Sequence, residues 1–317
     1  MQIHDALNKF SLQMSADGRS PYTILQYRRH VSSFIKWLTD TNAPTELTQI
    51  TAESIAGFLA SPAASTQKTG INKKSSSMNA LRASLKAFFT FATRANWTTA
   101  NPTYLLRRAK CSPRPPRSLT SDEQRKLLET VAAADTPQAR RDSLLYHLLL
   151  ATGIRIGSAL AINWKDIDFA RGELALLKTK GDQPETIPLP PSLLLHLKEV
   201  RGARISGPVF INMQGGRLSS RHAQRKLKYW VSAAGILTSC SPHSLRHSFA
   251  MNIYNSSHDL LLLKDAMRHR SVTSTQVYAR AADTTVRRAI ETVDPGAQLW
   301  AANTKDWLAA HAGIVPG

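Results

Sequence analysis

"DIDFARGELALLKTKGDQPETIPLP", residues 166–190, is where the pattern of this 317-residue chain changes period. Short strand-like runs are separated by Ala170-Arg171-Gly172 and by Gly181-Asp182-Gln183-Pro184, both rich in turn formers. The stretch predicts a small antiparallel sheet of three strands, with Lys180 at a hairpin tip. Nearly everything on either side reads as helix. The expected fold class is therefore mainly α with one small antiparallel β-sheet.

Upstream of the strands, a short helix is expected around Ile156–Ile162. Before it come helices over 138–151, ending at Thr152-Gly153, and over 118–133, where Thr120 or Ser121 can cap. The first hundred residues read as helices only. One, over 20–38, starts at Ser20-Pro21 and places Ile24, Tyr27, Val31, Phe34, Ile35 and Leu38 on a single stripe. Another, over 78–97, carries Leu81, Leu85, Phe88, Phe89 and Ala92. Shorter helices fit 2–16 and 51–60. Residues 61–77 are small, polar and basic and read as a loop; residues 101–118 are rich in proline and arginine, without apolar period, and read as a linker. Downstream of the strands, helices are expected around 191–200, 219–234, 242–255, 258–268 and 273–290. A tail over 295–313 carries Leu299, Trp300, Trp307 and Leu308. The organisation predicted is a four-helix domain over 1–106, a basic linker over 107–117, an α+β domain over 118–292 and a tail over 293–317. That tail is long enough to dock on its own domain or on a neighbouring subunit.

The composition, 42% hydrophobic and 20% charged, is that of a soluble globular protein. Lys and Arg together number 41 against 22 Asp and Glu, a formal charge of +19. An excess of that size is the footprint of a polyanion partner, most commonly DNA or RNA. The candidate DNA contacts are Arg28 and Arg29, Lys73 and Lys74, Arg82 and Lys86, and Arg114 and Arg117 in the linker. Two cysteines, Cys111 and Cys240, form neither a disulfide framework nor a zinc pattern and suit a reducing cytosol. The longest apolar run, residues 144–154, is too short to span a bilayer, and residues 1–10 lack the shape of a signal peptide. The expected location is the bacterial cytoplasm, on DNA, with no membrane partner.

Several polar residues sit oddly on this scaffold. Arg155 follows a helix-ending glycine, where an arginine is ordinarily solvated or capping. "SPHSLRHSFA", residues 241–250, opens a helix with Ser241 as cap and Pro242 in the first turn. Leu245 and Phe249 give it an apolar face, yet His243, Arg246 and His247 crowd its first two turns. His243 and Arg246 are three apart, hence on one face, and lie where free backbone N–H groups favour a phosphate. His269 and Tyr278 follow, and a tyrosine on an amphipathic helix is ordinarily core with its hydroxyl at the rim.

Taken in order, Arg155 in "TGIR", Lys180 seven residues before Ile187-Pro188, His243-Ser244-Leu245-Arg246-His247, His269, and Tyr278 nine residues on resemble the tyrosine site-specific recombinases, the phage integrase family. The motifs cover roughly 118–290, and the helical first hundred residues match the family's core-binding domain. Two departures stand out: Ser158 occupies a position that is often acidic, and Met267-Arg268-His269 replaces Leu-Gly-His.

The resemblance implies site-specific cleavage and rejoining of double-stranded DNA by a homotetramer, through a Holliday junction. The element and any accessory proteins are left open. It makes Tyr278 the nucleophile of a 3′-phosphotyrosyl intermediate, and Lys180 the general acid for the 5′-oxygen. It gives His243 proton transfer and phosphate binding, and His269 a hydrogen bond to the scissile phosphate. Arg155 and Arg246 can clamp the non-bridging oxygens with planar forks. His247 is expected in the scaffold, and no cofactor is required. Three rivals remain at this point: a metal hydrolase using His243 and His247, a DNA-binding protein without activity, and a type IB topoisomerase. The first lacks the Glu of H-E-x-x-H, having Ser244 instead.

Overall fold

The structure is a computed structural model. It describes residues 1–67, 69–111, 117–176 and 185–268, together with Thr275 and Tyr278. The chain divides into two compact units, Met1–Pro113 and Arg114–Gly317.

The first unit holds α1 (Ile3–Ala16), α2 (Pro21–Asp40), α3 (Ala52–Ala60), α4 (Pro62–Ser65) and α5 (Ser75–Arg94). Ser20 caps α2 through the Thr23 amide, with Pro21 at the first helical position, as the sequence leads one to expect. The apolar stripes of α1, α2, α3 and α5 meet in one core. Aromatic rings dominate it: Phe88 lies edge-on to Phe89 at 5.0 Å and to Phe10 at 5.6 Å.

The expected loop over 61–77 is partly helical. Its start is the single turn α4, opened by Pro62, and its end is the first turn of α5. Three serines begin α5 with no apolar spacing to announce it, and Lys74 supplies no side-chain cap. At the other end α5 stops at Arg94. Asn96 turns the chain with φ 55°, and Trp97 folds back edge-on to Phe91.

The second unit begins with α6 (Ser121–Ala132), opened by a capping box in which Thr120 and Glu123 each bond the other's backbone amide. α7 (Pro137–Thr152) follows and is buried on nearly every side, so it carries almost no amphipathic signal. One charged pair sits inside it. Asp142 takes 2.6 Å and 3.0 Å hydrogen bonds from Arg141 and a third from the Trp230 indole at 3.0 Å. After α8 (Ile156–Ala161) come β1 (Ile167–Asp168), β2 (Glu173–Leu176) and β3 (Glu185–Pro188), an antiparallel sheet in the order β1-β2-β3. Leu174 stands opposite both Ile167 and Ile187, and all three point into the core. Asp168 accepts the Ala170 and Arg171 amides to make the first turn, and Gly172 completes it at φ 68°.

The chain then returns to helix with α9 (Pro191–Arg201), α10 (Ser220–Ala233), α11 (Pro242–Ser257) and α12 (Leu260–Met267). α11 packs along α7 and against α12. Ser248 pins it further: its hydroxyl accepts the Leu119 amide at 2.8 Å and donates to the Ser244 carbonyl. Between α11 and α12, His258 takes a left-handed conformation and Asp259 caps α12. Among the described residues, no helix is long and apolar enough to cross a membrane.

Candidate active site

α11 brings most of the site together. Ser241 accepts the Ser244 amide, Ser244 bonds back to the Ser241 amide, and Pro242 sits at the first helical position. Both expectations for this helix start hold. His243, Arg246 and His247 then occupy its first two turns.

Arg246 is buried, 4% exposed. Its Nη1 donates to the Gly153 carbonyl and its Nη2 to the Met267 carbonyl at 2.6 Å. The fork is thus aimed by the ends of α7 and α12 before any ligand arrives. Gly153 is the left-handed cap of α7, with φ 60°, and the ring of Phe249 packs where its side chain would be. Two residues on, exposed Arg155 stands at the start of α8. Burial pulls Arg246 down to about 10, and the neighbouring Arg155 cation adds to this.

His243 lies at the surface, yet partial burial of its ring, then Arg246 and Arg155, hold it below the usual histidine value of 6.5. Two guanidiniums and an imidazole therefore share a small region without a carboxylate among the charges that shift them. Such a group has the chemistry to bind an anion.

Tyr278 is buried, 1% exposed, among Ala250, Tyr254, Leu263 and Met267. Burial pushes its hydroxyl up to about 12, with Arg246 pulling the other way. That hydroxyl lies 2.6 Å from Nδ1 of His247. His247 is thus bonded inside the fold, as expected, with Tyr278 as its partner. The helix sets His247 one turn beyond His243, where its ring meets the tyrosine and also packs edge-on to the His243 ring at 4.4 Å. Its role is not written in the local sequence, because the partner lies 31 residues away.

Lys180, His269 and Arg114 lie outside the described residues, as does the tail over 293–317. Among the other DNA-contact candidates, Arg29, Lys74, Lys86 and Arg117 are exposed. Three already have work inside the first unit. Arg28 ties α2 to α1 through Asn8 and Ser11, Lys73 donates to the Ala64 carbonyl at 2.6 Å, and Arg82 donates to Asn79. Among the described residues, no three His, Cys, Asp or Glu side chains gather where they could share a metal ion.

Comparison with known proteins gives this geometry a family. Residues 117–285 match the phage integrase family, and residues 7–96 match the phage integrase N-terminal SAM-like domain. The chain is 27% identical over 271 residues to tyrosine recombinase XerC of Xanthomonas axonopodis pv. citri, covering 82% of this chain and 86% of that protein. It is 32% identical over 274 residues to tyrosine recombinase XerD of Mycobacterium leprae, covering 81% and 85%. In fold it is similar to a lambda integrase crystallised as a tetramer bound to a Holliday junction. That match has a TM-score of 0.68 at 21% identity and covers 86% of this chain and 79% of the other. With both domains matched and a relative 32% identical covered over 85% of its length, the chain belongs to the phage integrase family, the tyrosine recombinases.

Proposed function

We propose that the protein cleaves and rejoins DNA at specific sites through a 3′-phosphotyrosyl intermediate on Tyr278. The reading is carried by the convergence, at the first turns of α11, of His243 and Arg246 with Arg155 and the Tyr278 hydroxyl. A phosphodiester repels nucleophiles and has a poor leaving group. Exchange without hydrolysis needs a nucleophile that holds the phosphate covalently, which a phenol can do.

In this scheme Arg155 and Arg246 stabilise the charge on the non-bridging oxygens. One such donor is worth about 3–4 kcal/mol, so loss of either nearly abolishes turnover. Lys180 protonates the departing 5′-oxygen. His243 binds the phosphate and moves protons, and His269 donates to the scissile phosphate. The energy of the broken bond stays in the phosphotyrosine and is reused for rejoining, so the scheme calls for no cofactor.

Arg29, Lys74, Lys86 and Arg117, with Arg114, serve the DNA backbone. The working form is a homotetramer on two sites, passing through a Holliday junction in the bacterial cytoplasm in the service of a mobile element. The similarity in fold to a lambda integrase tetramer bound to a Holliday junction supports the tetramer and the junction.

The test starts by selecting duplexes that the protein binds from a random-sequence pool. A selected duplex, nicked beside the cleavage point so that rejoining fails, should trap a covalent adduct in the presence of chelator. Tyr278→Phe should abolish it. An adduct from Tyr278→Phe removes the nucleophile assignment. Relaxation of supercoils without exchange between two selected sites makes the protein a topoisomerase instead.

A further inference from the structure

Arg268 stands at the edge of the site with no task in the cleavage scheme. We infer that it binds the DNA phosphate next to the scissile one on the same strand, so that the cationic site spans two phosphates. The inference rests on DNA being cleaved at the Arg246 clamp.

The backbone places Arg268 beside that clamp. Met267, the residue before it, accepts Arg246 Nη2 at 2.6 Å through its carbonyl, so the segment that aims the fork runs directly into Arg268. Arg268 caps α12, and its own Nη1 donates to the Ala266 carbonyl at 3.2 Å, which keeps the half-buried side chain at that helix end. Its charge acts on Arg246 together with that of Arg155.

The conformation of Arg268 is unfavourable for its residue type. It is left-handed, with φ 52° and ψ 46°. Among the described residues four non-glycine residues have positive φ, and Asn42, Asn96 and His258 are of types that accept it more readily than arginine. A glycine would end the helix without that cost. A residue held in such a conformation points to work done by its side chain. The C-terminal end of a helix favours a cation, which accounts for a positive residue at 268. It does not account for setting that charge beside Arg155 and Arg246, where like charges repel. A polyanion offsets the repulsion.

Charge decides which phosphate Arg268 takes. A phosphodiester carries one negative charge, and Arg155 and Arg246 already bring two positive ones to it. A third guanidinium, held at the side of the clamp, matches the next charge along the strand.

Full-length Tyr278→Phe protein, which forms no adduct, serves for equilibrium binding to the selected duplex, its cleavage point mapped with wild type. In that background Arg268→Gly suits the left-handed cap and removes the cation, and Arg268→Lys keeps the cation. Each is titrated between about 50 and 200 mM salt. Arg268→Gly should bind about 10-fold or more weaker. Its plot of log affinity against log salt should be shallower by about 0.9, the share of one phosphate contact. Arg268→Lys should keep the parent slope. The titrations are then repeated on duplexes with one uncharged methylphosphonate, at the scissile phosphate or at either neighbour. With one of the two neighbours neutralised, Arg268→Gly should cost nothing further.

An Arg268→Gly protein with the parent slope overturns the inference even if its affinity falls, because loss of a helix cap releases no fewer ions. So does a loss that persists on all three neutralised duplexes. A loss that vanishes only at the scissile phosphate also overturns it, and puts Arg268 inside the clamp. Failure of the wild-type protein to form any adduct is distinct, and removes the cleavage reading itself.

Discussion

Gly153 and Phe249 are packed so closely that a Cβ on residue 153 would lie 2.2 Å from Cδ1 of the Phe249 ring. Gly153 also has φ 60° and offers its carbonyl to Arg246. One residue therefore ends α7, seats the ring of α11 and aims the clamp.

Gly153→Ala should accordingly damage both fold and function. The backbone conformation costs about 1–3 kcal/mol for a residue with a side chain, and overpacking adds about 1–3 kcal/mol. Thermal unfolding should show it, at roughly 2–4 °C per kcal/mol for a unit of this size. In a Phe249→Ala background the same change should cost less, because only the backbone part remains. Equal costs in the two backgrounds would mean that the ring moves aside freely.

The Tyr278 hydroxyl should be shielded in the free protein. It is buried and held by His247, with its ionisation raised to about 12. Phenolate absorbance should therefore develop for this residue well above the usual value near 10, seen as the difference between wild type and Tyr278→Phe. Acetylation of tyrosines by a small reagent at pH 7.5 should spare Tyr278 and spread over exposed Tyr22, Tyr104 and Tyr229. Fast labelling of Tyr278 would show that the pocket opens readily without DNA.

Local chemistry in the sequence reaches some of this and not the rest. Ser20-Pro21, Thr120 with Glu123, and Ser241-Pro242 each announce a helix start through groups within four residues of one another. The three strands are legible because their apolar residues alternate and their turns carry Gly and Asp. The ordered polar residues point to the family for a different reason, through their order and separation along the chain. The contacts that complete the site are long-range and leave no periodic trace. Arg246 reaches carbonyls 93 and 21 residues away, and His247 meets Tyr278 across 31. Arg28 reads as a free basic residue in sequence, yet its partners on α1 are 17 and 20 residues back.

Asp142 should be the most sensitive carboxylate in the second unit. It is 1% exposed and is bonded by Arg141 and by the Trp230 indole. Asp142→Ala leaves a buried guanidinium without its anion, which typically costs about 3–5 kcal/mol. Trp230→Phe removes one hydrogen bond to a charged group and keeps the Arg141 pair, so about 1.5–3 kcal/mol is expected. Denaturant unfolding of the two variants tests the order. A Trp230→Phe protein less stable than Asp142→Ala would show that indole packing outweighs the ion pair.

Stability should also fall on the acid side of neutrality, and the pair formed by His147 on α7 and His196 on α9 should account for part of it. Their Nδ1 atoms stand 3.2 Å apart, so one ring must donate and the other accept. Both rings are held below the usual 6.5, chiefly by burial; His196 lowers His147 further, while Glu199 pulls His196 the other way. Below pH 6.5 the unfolded chain therefore binds protons that the folded pair still refuses. Stability rises with pH wherever the unfolded state holds more protons, so it falls as pH drops from about 6.5, until the folded pair also protonates. His30, between α2 and α5, is shifted in the same direction by burial, Arg29 and Lys73, so the first unit should show a smaller effect of the same sign. Thermal unfolding of wild type and of His147→Asn/His196→Asn between pH 8 and 5 separates the contributions. The double variant should show a flatter profile below pH 6.5, and an unchanged slope would place the acid sensitivity elsewhere.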